Sequence, residues 1–266
     1  MPVTLLFITT VALYVVAWLL DLSSLFRGAK RSGTLARRLL GVAAASHVAY
    51  IAAEFFAGGQ TPIADLNGTL STLSLGVVLA YLLVQRSYTV PALGAFVTPI
   101  TLVFLLGAAL VRGVAEVPPP VASALLQVHI AFNILGLVAF TVAFAASTAY
   151  VIQEHLLRKK RIGGAFRQLP SLGVLDSISA HATNVGFPLL TAGVVTGALF
   201  VTQSSASLFS GAQAMGLLTW IVFAGVVVLR LVGGWRGRRA AFGTIMGFAC
   251  GVSVLAAYAV KLGSGA

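Results

Sequence analysis

The sequence predicts an all-α membrane protein, a polytopic bundle of about eight transmembrane helices. Three observations support this prediction. The 266 residues are 59% hydrophobic and only 9% charged, and their mean hydropathy of +1.00 is well above that of a soluble domain. The apolar residues form runs long enough to cross a bilayer, and the basic residues lie in short clusters between those runs. We therefore expect a single transmembrane domain over residues 1–266.

Charge clusters and Pro/Gly segments divide the chain into eight apolar runs. The predicted helices cover residues 3–25, 39–57, 69–85, 91–111, 121–153, 174–201, 212–233 and 240–260. At about 1.5 Å per residue each run crosses about 30 Å of hydrocarbon, although the third is close to the lower limit. The fifth run is longer than a bilayer requires, and we expect its end to project into the cytoplasm.

The distribution of Lys and Arg predicts the orientation in the membrane. Every second connection is basic, and only Arg112 and Lys261 fall on the opposite side. Since an excess of Lys and Arg marks the cytoplasmic side, we expect residues 27–38, 153–173 and 234–240 in the cytoplasm. Both termini are then expected on the periplasmic side of a bacterial inner membrane. The net charge of +11 does not indicate a nucleic-acid partner, because the basic residues form no solvated face.

Several functions lack the residues that they need. The sequence holds no G-x-S-x-G, H-E-x-x-H or Walker motif, so we assign no catalytic residue. Cys250 is the single cysteine, which excludes an internal disulfide and a C-x-x-C-H haem attachment site. The six acidic residues are expected in loops or near the ends of spans, which weakens the case for proton-coupled transport.

Glycines at four-residue spacing predict close helix packing. One such pair is Gly193 and Gly197 in helix six, and a second face consists of Gly243, Gly247 and Gly251 in helix eight. Small residues at this spacing let two helix backbones approach closely in lipid.

Histidines in the middle of a membrane span indicate function, because burying an ionisable side chain in hydrocarbon is costly. His47 lies near the middle of predicted helix two, and His129 lies about nine residues into predicted helix five. The two side chains are therefore expected at a similar depth. If the two helices are neighbours, both imidazoles can ligate one haem iron. The alternative is that each ring forms hydrogen bonds with a nearby polar group, and the residues alone leave both possibilities open.

The two remaining histidines are interpreted differently. His155 adjoins the basic cluster at residues 158–161, and we expect it to be solvated. His181 lies nearer the cytoplasmic end of helix six, where we expect a buried helix contact beside Asn184 rather than a ligand. Pro188 lies within the same span and predicts a kink.

Several short motifs follow one another in a definite order. They are His47 followed by Gly58-Gly-Gln-Thr-Pro62, Leu93-Gly-Ala-Phe-Val-Thr-Pro99, Val128-His-Ile130, Leu169-Pro-Ser-Leu172, Gly186-Phe-Pro-Leu-Leu-Thr191 and Gly234-Trp-Arg-Gly-Arg-Arg239. In this order and spacing they resemble the cytochrome c assembly family of membrane haem-handling proteins, the CcsA/CcmC type. The likeness covers residues 39–260 and points to the shorter HemX-like and YpjD-like branch.

The resemblance implies a membrane haem-binding protein that assists cytochrome c assembly, with His47 and His129 at the matching positions. From the positions of the two histidines we expect them to be axial ligands, and from the missing C-x-x-C-H motif we expect haem b to be bound non-covalently. It implies haem, the lipid bilayer and other cytochrome c assembly proteins or a haem-synthesis enzyme as partners. Larger members of the family carry a tryptophan-rich WWD segment, whereas residues 201–212 here contain no tryptophan. The alternative functions are a non-catalytic membrane regulator or scaffold of haem biosynthesis and a small-molecule transporter.

Overall fold

A computed structural model describes residues 2–58, 61–111, 124–160, 163, 167–203 and 211–263. Within these ranges the chain forms eight α-helices and no strand. The helices are α1 (Pro2–Arg27), α2 (Lys30–Gly58), α3 (Leu66–Ser87), α4 (Gly94–Val111), α5 (Ala124–Arg158), α6 (Leu172–Gln203), α7 (Gly211–Leu231) and α8 (Arg238–Gly263), with a short 3-10 helix, Pro91–Leu93, before α4. All eight are long and apolar enough to cross a membrane. The predicted fold class is confirmed, and the chain is a multi-pass membrane protein.

The observed helix ends agree with the predicted ones except where charged turns extend a helix. Helix α2 begins at Lys30 instead of residue 39, and α5 ends at Arg158 instead of residue 153. Hydropathy marks only the apolar part of a helix, whereas Arg, Leu, Ala and Glu continue a helix well beyond the hydrocarbon. At the end of α5, Glu154 and Arg158 also form an ion pair of 2.7 Å one turn apart.

The helices form two groups of four that are joined through α5. Helices α1–α4, the first unit, pack through the pairs α1 with α2, α3 with α4, α1 with α4 and α2 with α3. Helices α5–α8, the second unit, pack through α5 with α6, α7 with α8, α5 with α8 and α6 with α7. Helix α5 also packs on α3 and α4, so it connects the two units.

The basic connections gather at one end of the bundle, called the basic end below. A Cβ on Gly28, between α1 and α2, would lie 3.0 Å from Gln168 Nε2 before α6. The connection between α7 and α8 is tied to the same end, because the backbone N–H of Gly237 donates to Asp176 Oδ1 at 3.2 Å. Asp176 also pairs with the buried Arg230 at 3.2 Å. Charged residues that the sequence separates widely therefore meet at one end of the bundle.

The glycine face of α8 packs closely, as predicted, and its neighbour at Gly243 and Gly247 is α7. A Cβ on Gly247 would lie 2.9 to 3.1 Å from three ring carbons of Phe223, and one on Gly243 would lie 2.8 Å from Val226 Cγ2. Phe223 is fully buried and stacks on Phe140 of α5 with ring centroids 3.6 Å apart. Since neither glycine leaves room for a side chain, these two positions set the distance between α7 and α8.

Candidate functional site

His47 lies where three helices of the first unit meet. Its ring is fully buried. Nδ1 lies 3.1 Å from the Tyr14 hydroxyl of α1, and Nε2 lies 3.0 Å from Ser71 Oγ of α3. Both ring nitrogens therefore form hydrogen bonds with hydroxyls, which satisfies a polar side chain that would otherwise be costly to bury.

No sequence pattern identifies Tyr14 and Ser71 as the hydrogen-bonding partners of His47. Tyr14 and Ser71 lie in helices one and three, and neither belongs to a motif around His47. The approach of their hydroxyls to the ring depends on how α1, α2 and α3 pack. Sequence alone raised the possibility of hydrogen-bonding partners for His47, but it did not identify them.

His129 lies between α5 and α6 in the second unit and is half-buried. Its Nδ1 lies 2.8 Å from the carbonyl oxygen of Gly193. Because a carbonyl oxygen only accepts, Nδ1 carries the hydrogen and Nε2 keeps its lone pair. The described neighbour of Nε2 is the amide nitrogen of Asn133, at the long distance of 3.4 Å. That amide also donates to the backbone carbonyl of His129 at 2.7 Å, which holds it in place.

The glycine pair of α6 makes the room that His129 and Asn133 occupy. A Cβ on Gly197 would lie 2.6 Å from Cε1 and 2.7 Å from Nδ1 of His129, and a Cβ on Gly193 would lie 2.7 Å from Asn133 Nδ2. The predicted close approach of α6 is therefore confirmed, and its neighbour is α5. The two glycines admit an imidazole and an amide rather than a bare helix backbone.

The structure does not bring the two histidines together. The described contacts of the His47 ring are with α1, α2 and α3, whereas those of His129 are with α5 and α6. Helices α2 and α5 belong to different units and are not among the closely packed pairs. His47 lies near the middle of α2, and His129 lies close to Ala124, the first described residue of α5. Position along two separate helices does not give depth in a membrane, so the shared depth of the two rings stays a prediction.

His181 is exposed and does not form the buried helix contact that the sequence predicts. Its Nδ1 lies 2.8 Å from the carbonyl oxygen of Ser177, one turn earlier in α6, and 3.3 Å from the Tyr88 hydroxyl. Asn184, one turn later, is exposed on the same face. The polar neighbours expected around this histidine are therefore on the surface of α6. His155 is exposed, as predicted.

Other ligand arrangements are absent from the part of the chain that the structure describes. No group of three His, Cys, Asp or Glu side chains there is placed to hold a metal ion. The tryptophan-free segment at residues 201–212 lies for the most part outside the described residues, as do Arg112 and the motif residues 59–60. The histidines therefore remain the described candidates for a ligand site.

Comparison with known proteins places the chain in a family. The family model for the cytochrome C assembly protein matches residues 63–265. This chain belongs to the cytochrome c assembly protein family. The match begins just before α3 and continues through α8, so the family assignment covers His129 and leaves His47 outside the matched range.

Individual relatives agree with this family. The cytochrome c biogenesis protein CcsA of Synechococcus sp. (strain CC9605) is 29% identical over 241 residues, covering 80% of this chain and 79% of that protein. CcsA of Synechococcus sp. (strain WH7803) is 28% identical over 254 residues, covering 82% and 79%. These relatives support the family resemblance, but they give no support to the narrower prediction of a HemX-like branch.

A solved structure shows the same fold. The cytochrome c haem lyase CcmF superposes with a TM-score of 0.65 at 17% sequence identity. The match covers 99% of this chain and 50% of the CcmF chain, so this chain spans half the length of that structure. At this identity the likeness concerns the helix arrangement, which is that of a cytochrome c assembly protein.

Proposed function

We propose that this protein handles haem within the membrane during cytochrome c assembly. The family assignment supports the process, since the relatives named above are cytochrome c biogenesis proteins. The fold supports the location, because all eight helices suit a bilayer. The observation that carries the proposal is the hydrogen bond from His129 Nδ1 to Gly193, which leaves Nε2 as the unprotonated ring nitrogen.

His129 has the surroundings of a metal-binding histidine. Histidines that bind metals almost always donate their other ring N–H to a carbonyl or carboxylate, which fixes the ring and its tautomer. Gly193 supplies that carbonyl at 2.8 Å, and Gly197 leaves the space that the ring needs. Neutral imidazole with a free Nε2 is the usual axial ligand of haem iron. His129 can therefore ligate haem iron and keep its hydrogen bond to Gly193, provided that the Asn133 amide moves away from Nε2.

His47 is the second proposed axial ligand. Because it lies in the first unit, away from His129, it would have to leave its hydrogen bonds and the two units would have to approach each other before both rings ligated one iron. His47 Nε2 is bonded to Ser71 Oγ and the ring is fully buried, so ligation requires α3 to move away from α2. The lost hydrogen bond between uncharged groups costs about 1 kcal/mol, and the separation of the packed helices adds to that cost. Bound haem would supply an iron centre for ligation and redox chemistry, whereas the two histidines hold and orient it.

Haem binding is proposed to be non-covalent and of the b type. Thioether attachment needs a C-x-x-C-H motif, and Cys250 is the single cysteine of the sequence. Haem is then held by iron ligation and by the apolar surface around His129, to which Val128 and Ile130 belong. Such a complex can release haem, as a protein that passes haem to a cytochrome must.

The orientation and the partners belong to the same proposal. We place the basic end at the cytoplasmic face of a bacterial inner membrane and both termini at the periplasmic face, because Lys and Arg mark the cytoplasmic side. Other cytochrome c assembly proteins are the proposed partners. Co-purification of such proteins with the tagged chain from membranes would support this, and recovery of the chain alone would count against it.

A haem titration of the purified protein tests the proposed function. Detergent-purified protein is mixed with increasing haem while the Soret absorbance is recorded. We expect saturation at one haem per chain and a low-spin b-type spectrum after reduction. The variant His155→Ala serves as the matched control, since this histidine is exposed and lies away from His129. A non-saturating titration that equals haem in detergent alone would contradict the proposal.

A further inference from the structure

Asp21 is a buried carboxylate in the membrane-spanning part of α1. Its exposed fraction is 2%, and no hydrogen-bond donor approaches its Oδ2. From the sequence, Asp21 is expected near the end of a span, as are the other acidic residues outside the loops. In the structure it faces the inside of the first unit near the basic end, one helical turn and a half before Arg27, the last residue of α1.

A small polar cluster from α3 and the start of α4 surrounds this carboxylate. Asp21 Oδ2 and the Tyr81 hydroxyl both lie against Gly94, where either one would collide with a Cβ. The Tyr81 hydroxyl donates to the carbonyl oxygen of Pro91 at 3.1 Å and accepts from Gln85 Nε2. Gln85 Oε1 is buried and has no donor. We name Asp21, Tyr81, Gln85 and Gly94 the Asp21 cluster.

The Asp21 cluster is short of hydrogen-bond donors, not of acceptors. The single hydroxyl hydrogen of Tyr81 goes to Pro91, and the amide hydrogens of Gln85 include the one that goes to Tyr81. Two buried acceptors, Asp21 Oδ2 and Gln85 Oε1, remain without a donor. Each such group costs about 1–3 kcal/mol when it is left unsatisfied, and more when it is charged. The cluster therefore needs a ligand that brings positive charge or a hydrogen.

The charged side chains that the structure describes around the cluster do not supply this ligand. Among the described side chains no Lys, Arg or His nitrogen forms an ion pair with Asp21. On α2, Arg37 is exposed. On α3, Arg86 is exposed, and α4 contains no ionisable residue. On α1 itself, Arg27 is exposed at the helix end.

The number of open oxygen atoms favours a proton over a metal ion. Hard divalent cations take six or more oxygen ligands, and the cluster offers two uncommitted acceptors. A proton on Asp21 removes the charge, which otherwise makes burial in hydrocarbon expensive. It also turns one carboxyl oxygen into a donor, for which Gln85 Oε1 is the acceptor that the cluster leaves open.

We propose that the Asp21 cluster is a proton-binding site, in which Asp21 is a neutral carboxylic acid and Gln85 is the acceptor of its proton. Binding joins one proton to one carboxylate oxygen, and release returns it to the basic end of the bundle. Release leaves a bare charge between α1, α3 and α4, which weakens their packing. The site is separate from the histidines and does not depend on the proposed haem function.

Infrared spectroscopy tests the protonation directly. The wild-type protein is expected to show the C=O band of a protonated carboxylic acid at neutral pH, and Asp21→Asn should lose that band. Asp65→Asn is the matched control, because Asp65 caps α3 at the other end of the bundle and accepts from Gly68 N at 2.7 Å as a carboxylate does. Gln85→Leu should keep the band and shift it to higher frequency. A band that is absent from the wild type, or unchanged in Asp21→Asn, would overturn the proposal.

Thermal unfolding provides a second test that does not need the band. Where the folded state binds more protons than the unfolded state, stability falls as the pH rises. The wild-type melting temperature should therefore decrease by about 2–4 °C more than that of Asp21→Asn, whose amide keeps a hydrogen for Gln85. This decrease is expected as the pH rises from about 4, where an unfolded Asp ionises, to the pH at which Asp21 itself releases its proton. The scans are run in sodium, potassium and choline chloride at equal ionic strength. Equal pH dependence in both proteins, or a stabilisation by sodium or potassium that Asp21→Asn lacks, would contradict a proton site.

Discussion

The two units of the molecule give a membrane-embedded histidine different surroundings. In the first unit, His47 is fully buried and both ring nitrogens are bonded to hydroxyls of neighbouring helices. In the second unit, His129 is half-buried, and its short hydrogen bond holds Nδ1 alone. A histidine is therefore not identified as a metal ligand by its position within a transmembrane helix alone. The ring nitrogen must also keep a lone pair that no short hydrogen bond uses, and at His129 Nε2 the described neighbour is the Asn133 amide nitrogen at 3.4 Å.

The largest expected effect is that of a large side chain in the packed interior of the second unit. Gly247→Leu should lower the free energy of unfolding by about 1–3 kcal/mol or more, because its Cβ already meets the buried ring of Phe223. Thermal unfolding in detergent measures the loss. Gly41→Leu is the control, since a Cβ there meets nothing within 4 Å. Equal stability of Gly247→Leu and the wild type would show that α8 does not need close contact with α7.

A second prediction concerns the contribution of His47 to the stability of the fold. His47→Ala leaves the hydroxyls of Tyr14 and Ser71 without their buried partner, which should cost about 1–3 kcal/mol of stability. His129→Ala should cost less, because its ring is half-buried and bonded once at short distance. Chemical or thermal unfolding of both variants without haem measures the difference. A larger loss for His129→Ala would reverse the comparison between the two units.

A third prediction tests the surroundings of His129 without removing the ring. Gly197→Ala places a methyl group 2.6 Å from Cε1, so the ring must shift away from the carbonyl of Gly193. Disturbing the hydrogen bond behind a metal ligand typically weakens metal binding about 10-fold or more. The haem titration measures this loss. Gly216→Ala is the matched control, because a Cβ there meets nothing within 4 Å. Equal haem affinities of the two variants would contradict the proposed role of Gly197 in making room for the His129 ring.

The smallest effect on folding is expected for cysteine substitutions that report the orientation in the membrane. Ser32→Cys, in a background in which Cys250 is replaced by serine, should fold normally and resist a membrane-impermeant thiol reagent added from outside. Thr61→Cys, at the other end of the bundle and exposed, should react. The physical reason is the Lys and Arg excess at the basic end. Reaction at position 32 from outside would reverse the proposed orientation.

Much of the fold followed from the sequence because the bilayer is a strong constraint. Eight apolar runs predicted eight helices, and the glycine faces predicted close packing that the structure shows at Gly247 and Gly197. The start of α2 was missed because the turn after Lys30 is charged and still helical. Hydropathy indicates which part of a segment lies in hydrocarbon. The helix itself continues as far as its backbone hydrogen bonds continue, which includes charged turns outside the hydrocarbon.

The environment of each polar side chain could not be predicted in the same way. Asp21 lies near the end of its span, yet tertiary packing buries it against Gly94 and Tyr81. His181 lies deeper in its span, yet it is on the exposed face of α6. Burial within a bundle depends on which face of a helix meets its neighbours. A single sequence of mostly apolar residues gives little information about that face, since the polar and apolar sides are hardly distinct.

The haem content of histidine variants tests the central claim most directly. Wild type, His129→Ala, His47→Ala and the control His155→Ala are purified under haem-replete conditions, and haem per chain is measured as the pyridine haemochrome. We expect full haem in the wild type and the control, almost none in His129→Ala, and a clear loss in His47→Ala. Haem in His129→Ala equal to that of the wild type, or a wild type without haem, would contradict the account.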